Sequence, residues 1–600
     1  MQDKLPKRSE VAKELTWRLE DIYPDEAQWE KEKNETLAIA DEISTFAGKL
    51  GDSAETLLKV LELNEKLELL FARVFGYAHM RQDEDTANAK YQGMEQVAMS
   101  VYVQLGEKTS FVSPEILDIS DEKMEQFKKD APGLSRYEVM IKEIRRKRAH
   151  TLSPEFEQLL ASTGEMQEAP ERCFSMLTDA DLKFPSVEDS EGKEVQLSNG
   201  RFVPVQMSKD RELRKRAFEA FYKRYEEFKN VLAATYDAEV KSRIFNAKAR
   251  KYNSTFEAAV DGNNVDPKVC DRLFEAVHNN LDKMHRYVEL RKKLLGVDEL
   301  HMYDVYVSMV NDFDMEVDYE KAKEISLEAL APLGEDYLEI VKEAYENRWI
   351  DVVENEGKRS GAYSSGVYGV HPYMLLNYNN TLEDVFTLVH EMGHSMHTWY
   401  SDHEQTIIDA EYKIFVAEVA STTNEILLYN YLKDRAKTKE EKAYIINHFL
   451  EGFKGTLYRQ TMFEEFERKT NAMAENGEPL TAESLTKVYY NLNKEYFGEA
   501  MVSDPLIANE WSRIPHFYYN FYVYQYATSY AASVAIANRI LKEGAPAAEQ
   551  FKKFLKSGCT QDPVSLLKIA GVDLTTAQPI EDALKVFGDA IAEMEELYKD

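Results

Sequence analysis

The sequence predicts a mostly α-helical protein with little β-strand. Residues 54–75 place leucines and valines at helical spacing, which is typical of a helix with one buried face. Ser113-Pro114-Glu115 and Ser153-Pro154-Glu155 each have a capping residue, a first-turn proline and an acid in the order that starts a helix. Strand-like patterns are confined to two stretches, at 182–206 and 361–378. We therefore expect many helices and only small sheets.

The first strand-like stretch, residues 182–206, predicts a domain boundary. It contains the turn dipeptides Glu191-Gly192 and Asn199-Gly200, and Asn-Gly between apolar residues is a hairpin signal. We expect an N-terminal helical domain over 1–200 and a second domain over 201–600.

After this boundary the pattern returns to helices, predicted at 210–230, at 231–246 and from Asp266-Pro267 to about residue 293. The second strand-like stretch, residues 361–378, is rich in glycine and aromatic residues and comes just before the strongest motif of the chain. It predicts a small sheet beside the helix that follows. The edge of that sheet could hold an extended peptide by backbone hydrogen bonds, or the sheet could only pack under the helix. We interpret His371 in this stretch as structural.

Composition narrows the class of protein. The chain has 600 residues, of which 44% are hydrophobic and 30% charged, so a sizeable core is expected. A formal net charge of −33 argues against nucleic acid or an anionic membrane as the main partner. Cys173, Cys270 and Cys559 are far apart, which predicts neither a disulfide framework nor a cysteine zinc site. No apolar leader or 18-residue apolar run stands out, so the cytoplasm is the expected location.

The strongest motif is His390-Glu391-Met392-Gly393-His394, inside the apolar-periodic stretch 381–399. Residues four apart on a helix have Cβ atoms roughly 5–6 Å apart. Two imidazoles so placed can hold one Zn²⁺, with Glu391 in reach of a water as general base. The alternative is a helix with two hydrogen-bonded core histidines and an unrelated glutamate.

A hydrolytic zinc site needs a third protein ligand. His397 lies on the same helix, and one helix cannot easily surround an ion on three sides; position 400, where another zinc motif has its third histidine, is Tyr400. Glu411, Glu418 and Glu425 are seven residues apart and share one face of the next predicted helix. Glu418 is flanked by small residues that allow close helix approach, so it is the predicted ligand. Glu425 either orients a ligand histidine or forms an ordinary ion pair.

An aromatic stretch, residues 514–530, contains His516 and six tyrosines. An oxyanion formed at zinc needs further hydrogen-bond donors, and phenol hydroxyls or an imidazole can supply them. Most of these tyrosines are expected to belong to an aromatic core, and two or three to face the metal.

Several segments together resemble the thimet oligopeptidase family of zinc metallopeptidases. These are HEMGHSMH from His390, FVAE ending at Glu418, HFYYNFYVYQYATS from His516, and the N-terminal TWRLEDIYP and RAHTLSPEFEQLL. The resemblance covers nearly the whole chain and is strongest to the bacterial oligoendopeptidase F branch of the family. It implies that His390, His394 and Glu418 bind zinc and that Glu391 is the catalytic base.

The resemblance also assigns roles in the aromatic stretch. His516 matches a histidine that helps to bind substrate and stabilise the transition state. Tyr519 and Tyr526 match tyrosines near the scissile carbonyl, if two residues are deleted after His516. Thimet-type members have a glycine-rich hinge there, whereas this chain has Phe517-Tyr518-Tyr519, and Val523 replaces a further tyrosine.

The resemblance implies a fold of two mostly helical lobes around a deep channel, with the zinc at its base. The implied function is zinc-dependent endopeptidase activity on internal bonds of short oligopeptides, in which a zinc-bound water attacks the scissile carbonyl and Glu391 acts as general base. One Zn²⁺ per chain and short peptides are the implied cofactor and partners, with no nucleic acid or membrane, and the oligomeric state is unknown. Two alternatives remain: a helical peptide-binding protein with a structural or vestigial zinc, and another zinc hydrolase, such as a carboxypeptidase acting on chain ends.

Overall fold

The computed structural model describes residues 4–310 and 315–599, and its helices confirm the mostly α fold class. The α-helices of these residues are, in chain order, α1 Glu26–Ser44, α2 Ala54–Glu84, α3 Ala89–Thr109, α4 Val112–Asp118, α5 Asp121–Asp130, α6 Glu138–Arg146, α7 Pro154–Ser162, α8 Gly164–Gln167, α9 Ala169–Ser175, α10 Asn199–Gln206, α11 Arg211–Ala249, α12 Thr255–Asp261, α13 Lys268–His278, α14 Leu281–Leu295, α15 Tyr319–Leu330, α16 Glu335–Glu346, α17 Leu382–Glu404, α18 Ile407–Ala410, α19 Ile414–Arg435, α20 Lys439–Phe453, α21 Arg459–Glu475, α22 Ala482–Phe497, α23 Tyr524–Glu543, α24 Ala545–Leu555, α25 Pro563–Ile569 and α26 Gln578–Leu597.

Short strands form small sheets. They are β1 Ser186–Glu188, β2 Glu194–Gln196, β3 Leu300–His301, β4 Ile350–Asp351, β5 Tyr363–Ser365, β6 Tyr373–Leu375 and β7 Met501–Val502. β1 pairs with β2 antiparallel, and β3 pairs with β7 parallel. β6 lies between β4, to which it is parallel, and β5, to which it is antiparallel. Within the described residues β5 is therefore an edge strand.

Of the two turns predicted in the strand-like stretch 182–206, the structure contains one. β1 and β2 form the expected hairpin, and its turn contains Gly192 in a left-handed conformation, with φ +82°. The hairpin expected at Asn199-Gly200 is wrong, because a helix begins there. The hydroxyl of Ser198 accepts a hydrogen bond from the N–H of Arg201, so it caps α10 and the polar pair starts a helix instead of a turn.

Other helix boundaries also differ from the predicted ones, and the residues at each boundary explain the difference. The two helices expected over 210–246 are one continuous helix, α11, since no glycine or proline interrupts it. The helix expected over 266–293 divides into α13 and α14. At the break, the side chain of Asn280 donates to the carbonyl oxygen of Ala276 at 2.7 Å and satisfies a terminal acceptor. Ser153 directly precedes α7 as predicted, whereas Ser113 already lies inside α4.

The chain divides into two compact units, each of which combines three separate stretches. The first unit comprises Met1–Arg148, Asp314–Tyr431 and Ile536–Gly571, and the second comprises Ala149–Phe313, Leu432–Ala535 and Val572–Asp600. The boundary near residue 200 and the channel stay predictions.

The first unit has an apolar core that positions its three-stranded sheet. Val74 and Tyr77 of α2 pack with Trp17, Val367 and Tyr373 in one buried cluster. The aromatic rings of Trp17 and Tyr373 meet edge to face at 6.2 Å. The sheet is thereby anchored to α2 on one side, and it also contacts α17 of the same unit, as the sequence predicts.

No helix in residues 4–310 and 315–599 is both long enough and apolar enough to span a lipid bilayer.

Candidate metal centre

The helix that carries the H-E-x-x-H motif, α17, begins with a reciprocal cap. The hydroxyl of Thr381 accepts from the N–H of Asp384 at 3.1 Å, and the carboxylate of Asp384 accepts from the N–H of Thr381 at 2.9 Å. Val385, Phe386 and Val389 are buried along one face, as their helical spacing predicts. The cap and the buried face together fix where the histidines of the motif lie.

Gly393, in the middle of the motif, allows α17 and α19 to approach each other closely. A Cβ atom added to Gly393 would lie 2.5 Å from the Cα of Ser421 and 2.7 Å from the carbonyl oxygen of Ala420. Both contacts are with backbone, which cannot move aside as a flexible side chain can. Asn424 of α19 also donates to the carbonyl oxygen of Val389 at 3.4 Å. The small residues around Glu418 thus serve the close approach that the sequence predicts.

The first unit brings His390, His394 and Glu418 together, and we call these residues the His-His-Glu group. Their ligand atoms all lie within 4.8 Å of one another. The Nε2 atoms of His390 and His394 are each 3.5 Å from Oε2 of Glu418. The hydroxyl of Ser421 donates to the same oxygen at 3.0 Å and orients the carboxylate. In the described ranges no other three His, Cys, Asp or Glu side chains meet in this way.

The His-His-Glu group fits a zinc ion. Zinc binds histidine nitrogen and carboxylate oxygen at about 2.0–2.2 Å in a tetrahedron, so two ligand atoms on one ion are roughly 3.3–3.5 Å apart. The two nitrogen–oxygen separations of 3.5 Å agree with that geometry, and all three ligand atoms lie within 4.8 Å of one another. Two imidazoles and one carboxylate are also the ligand set of a catalytic zinc site, which keeps one position open for water.

A second glutamate of α19, Glu425, contacts one histidine of the His-His-Glu group. Glu425 accepts a hydrogen bond from Nδ1 of His390, which leaves Nε2 of that ring directed toward Glu418. Of the two interpretations left open for Glu425, the structure therefore shows the contact with a histidine of the motif. Burial alone would lower the pKa of His390, but Glu425 and the other nearby carboxylates outweigh it and raise this pKa to about 9.

The carboxylates of the centre differ in their electrostatics. Burial would raise the pKa of Glu418, but the imidazoles of His394 and His390 outweigh it and lower the pKa to about 2. Glu391 is only 7% exposed, and burial raises its pKa above the usual value for glutamate. Glu418 is thus kept ionised as a metal ligand must be, whereas Glu391 is a stronger proton acceptor than an exposed glutamate.

His397 and Glu411, the competing ligands, lie outside the group. The imidazole of His397 is 1% exposed and stacks on the ring of Tyr412, with centroids 3.6 Å apart. Burial lowers the pKa of His397 to about 3, so this imidazole stays neutral. Glu411 is exposed and precedes α19, so the prediction that it shares a helix face with Glu418 and Glu425 is wrong.

The edge strand β5 lies beside α17 in the first unit. The hydroxyls of Ser364 and Ser395 are hydrogen-bonded at 2.8 Å. A Cβ added to Gly366, just after the strand, would lie 2.4 Å from Cγ2 of Thr398. The strand therefore runs against the helix next to His394. His371 stacks on Trp349 with centroids 4.7 Å apart, in keeping with its structural interpretation.

The second unit brings His516, Tyr519 and Tyr526 together. His516 lies on a 3₁₀ helix, Pro515–Tyr518, and Tyr526 lies in the first turn of α23. The His516 ring meets the rings of Tyr519 and Tyr526 edge to face, at centroid distances of 5.6 and 6.1 Å. Tyr519 is 48% exposed, and burial lowers the pKa of His516. Clustering of these three side chains agrees with the predicted set, while their catalytic roles stay a prediction.

Sequence reasoning missed several polar residues that shape these groups. Ser421 orients Glu418, and Ser395 connects α17 to the edge strand. Arg243 and Glu467, far from the aromatic stretch in sequence, hydrogen-bond to its backbone. The run of small residues around Glu418 could have indicated Ser421. A single arginine or glutamate in a helix has no pattern that would indicate its role.

A helix with H-E-x-x-H, a carboxylate from the next helix and a buried glutamate beside them define the centre of a metallopeptidase. The family model for peptidase family M3 matches residues 205–586, and the model for oligopeptidase F matches residues 115–184. The chain belongs to peptidase family M3. It is therefore a metallopeptidase that hydrolyses peptides, and the resemblance seen in the sequence is confirmed.

Individual relatives extend this match over the whole chain. Oligopeptidase PepF of Bacillus subtilis is 49% identical over 595 residues, which cover 99% of this chain and 89% of the relative. An oligoendopeptidase F homolog of Lactococcus lactis is 40% identical, with 98% of both chains covered. The crystal structure of oligoendopeptidase-F from Enterococcus faecium is 38% identical with a TM-score of 0.74, and covers 96% of this chain and 99% of its own.

Proposed function

We propose that this protein is a zinc-dependent endopeptidase that cleaves internal bonds of short oligopeptides. The observation that carries the proposal is the convergence of His390, His394 and Glu418, with the buried carboxyl of Glu391 on the same helix. A structural zinc site has four protein ligands and no open position. Three protein ligands leave one position for water, and a base beside them suits hydrolysis. Family membership supports peptides as the substrate class, as do the relatives, an oligopeptidase and an oligoendopeptidase F homolog.

His390, His394 and Glu418 would hold the ion, with His390 oriented by Glu425 and Glu418 oriented by Ser421. A zinc ion bound there supplies Lewis-acid polarisation and lowers the pKa of water toward about 7. Glu391 accepts a proton from the attacking water and then delivers it to the leaving amine. Its burial favours the protonated form between these two transfers, because a charge in an apolar setting is costly.

Strand β5 offers a way to align the substrate. Its outer edge has backbone groups that do not pair with β6, and the strand runs beside α17 next to His394. An extended peptide added to such an edge is held by main-chain hydrogen bonds, which fix its register with little demand on side-chain identity. This mode suits an enzyme that accepts varied short peptides.

Assistance from the aromatic group is proposed on family membership. His516 and Tyr526 would donate hydrogen bonds to the oxyanion that forms at the scissile carbonyl, and Tyr519 would contact the substrate near it. Burial lowers the pKa of His516, so the neutral imidazole with one donor is the form at pH 7.

The proposal is tested with an eight- to ten-residue peptide blocked at both ends. The zinc-loaded protein should release internal fragments visible by mass spectrometry, and removal of the metal by a chelator should stop the reaction until zinc is restored. A matched unblocked peptide serves as control. Cleavage only of the unblocked peptide, one or two residues at a time from an end, would instead identify an exopeptidase, and cleavage unaffected by metal removal would exclude the zinc mechanism.

A further inference from the structure

The segment 516–521, which carries His516 and Tyr519, bends without glycine. Asn520 and Phe521 both adopt the left-handed backbone conformation, with φ +53° and +57°. This conformation disfavours residues with a Cβ atom, and a bulky residue such as phenylalanine is found there only when its surroundings hold it. Something in the second unit must therefore fix the bend.

Two buried side chains hold the ends of this segment. Arg243 of α11 donates from Nη2 to the carbonyl oxygen of Phe517 at 2.6 Å. Glu467 of α21 accepts from the N–H of Phe521 at 3.1 Å, through Oε1. Arg243 also donates from Nη1 to the same Oε1 at 2.7 Å, so one ion pair connects both backbone contacts.

Because this ion pair is buried, its contacts restrict the conformation of the 516–521 segment. The Arg243 side chain is 5% exposed and that of Glu467 is fully buried. The Phe521 ring is also buried; it meets the Phe256 ring edge to face at 5.2 Å, and the Arg243 guanidinium lies 5.7 Å from its centroid. A buried charge that loses a partner pays a large desolvation cost, so any other conformation of the segment is disfavoured.

We propose that Arg243 and Glu467 are positioning residues that hold the 516–521 segment in one preset conformation, in which His516 and Tyr519 are presented to the substrate. The inference rests on the proposed function, because it assigns those two side chains to peptide hydrolysis. In this chain the contacts of Arg243 and Glu467 then fix the segment, where thimet-type members of the family have a glycine-rich hinge. Presetting lowers the cost of ordering the donors at the moment of reaction.

The test compares Arg243→Lys with Arg291→Lys. Arg291 is an equally buried arginine of the same unit, which donates to Glu451 at 2.6 Å and to the carbonyl oxygen of Asp304 at 2.8 Å. Both changes keep the positive charge and remove the planar fork, so they should cost similar stability. Only Arg243→Lys releases the 516–521 segment. Glu467→Gln, which weakens the shared acceptor and keeps its shape, is the second variant in case Arg243→Lys does not fold.

Hydrogen exchange and steady-state kinetics are measured on the zinc-loaded proteins. In Arg243→Lys, amides of residues 517–522 should exchange at least about 10-fold faster, and kcat should fall by about 10- to 100-fold with KM changed by less than about threefold. Arg291→Lys should leave both the exchange of that segment and kcat within about twofold of the wild type. Unchanged exchange in Arg243→Lys and Glu467→Gln, or equal kcat losses in the two lysine variants, would overturn the inference.

His516→Ala in the same assay separates this inference from the proposed function. If His516→Ala lowers kcat while Arg243→Lys frees the segment and leaves kcat unchanged, the positioning role is wrong. If His516→Ala leaves kcat unchanged, the proposed role of His516 fails. The positioning inference then fails with it as a catalytic statement, whatever the exchange shows.

Discussion

The His-His-Glu group of the first unit and the 516–521 segment of the second unit hold polar side chains by different means. In the first, two regular helices fix all three side chains of the group, and spacing of four residues on α17 sets the two imidazoles. In the second, a 3₁₀ turn and two left-handed residues depend on Arg243, which lies 274 positions away from Phe517 in the chain. The first arrangement is therefore local and visible as a motif, whereas the second is set by buried contacts between residues distant in sequence.

The largest expected effect is that of Glu391→Gln in the first arrangement. The amide keeps the size of the side chain but cannot accept the proton, so kcat should fall by about 10³-fold or more, with zinc content unchanged. Glu404→Gln, an exposed change at the end of the same helix, is the control and should retain full activity. Peptide cleavage by the purified Glu391→Gln protein at a comparable rate would show that another group is the base.

The next effect belongs to the aromatic group. Tyr526→Phe removes one hydroxyl that is proposed to bond to the oxyanion, so kcat should fall by about 10²-fold while KM changes little. Tyr518→Phe is the matched change, since the Tyr518 ring stacks on Phe174 at 4.4 Å and is interpreted as structural. Steady-state kinetics with one blocked peptide would measure both. Equal effects of the two substitutions, or a loss confined to KM, would contradict the assignment.

A smaller effect, on stability, tests the helix crossing that the first arrangement needs. The new methyl group of Gly393→Ala would clash with the backbone of α19 at Ser421, and we expect a loss of about 1–3 kcal/mol in unfolding free energy together with weaker zinc binding. Gly106→Ala is the control, because an added Cβ there meets nothing within 4 Å; it should gain up to about 1 kcal/mol. Chemical denaturation of the metal-free proteins gives both values. A neutral result for Gly393→Ala would mean that α17 and α19 can separate without cost.

The smallest expected effect concerns the number of protons that the protein releases when it binds zinc. With a pKa of about 9 in the metal-free protein, His390 is protonated at pH 8 and must lose that proton to bind zinc, whereas Glu418, with a pKa of about 2, is already ionised. Zinc binding at pH 8 should therefore release about one proton from His390, in addition to the proton that a zinc-bound water loses, and the His390 part of the release should vanish as the pH rises through 9. Glu425→Gln, which lowers the pKa of His390, should reduce the release at pH 8.

Calorimetry in two buffers with different protonation enthalpies measures this count for the wild type and for Glu425→Gln. The same release from both proteins at pH 8 would show that Glu425 does not control the protonation of His390.

The same contrast explains what the sequence could and could not predict. The helix of H-E-x-x-H, its neighbouring sheet and the contact of Glu418 with both histidines follow from short-range spacing and small residues, and the structure agrees with them. The Asn199-Gly200 hairpin failed because the hydroxyl of Ser198 made a helix cap available at the same place. The hold of Arg243 and Glu467 on the 516–521 segment could not be predicted, since pairing between distant residues leaves no mark in a single sequence.

The central claim is that His390, His394 and Glu418 together bind one zinc ion, and metal analysis of Glu418→Ala tests it most directly. The wild-type protein, purified with zinc and dialysed, should contain about one zinc per chain, as should Glu411→Ala, whose exposed carboxylate lies outside the group. Glu418→Ala should contain less than about a tenth of that amount and cleave no peptide. A full equivalent of zinc in Glu418→Ala would place the third ligand elsewhere and contradict the account.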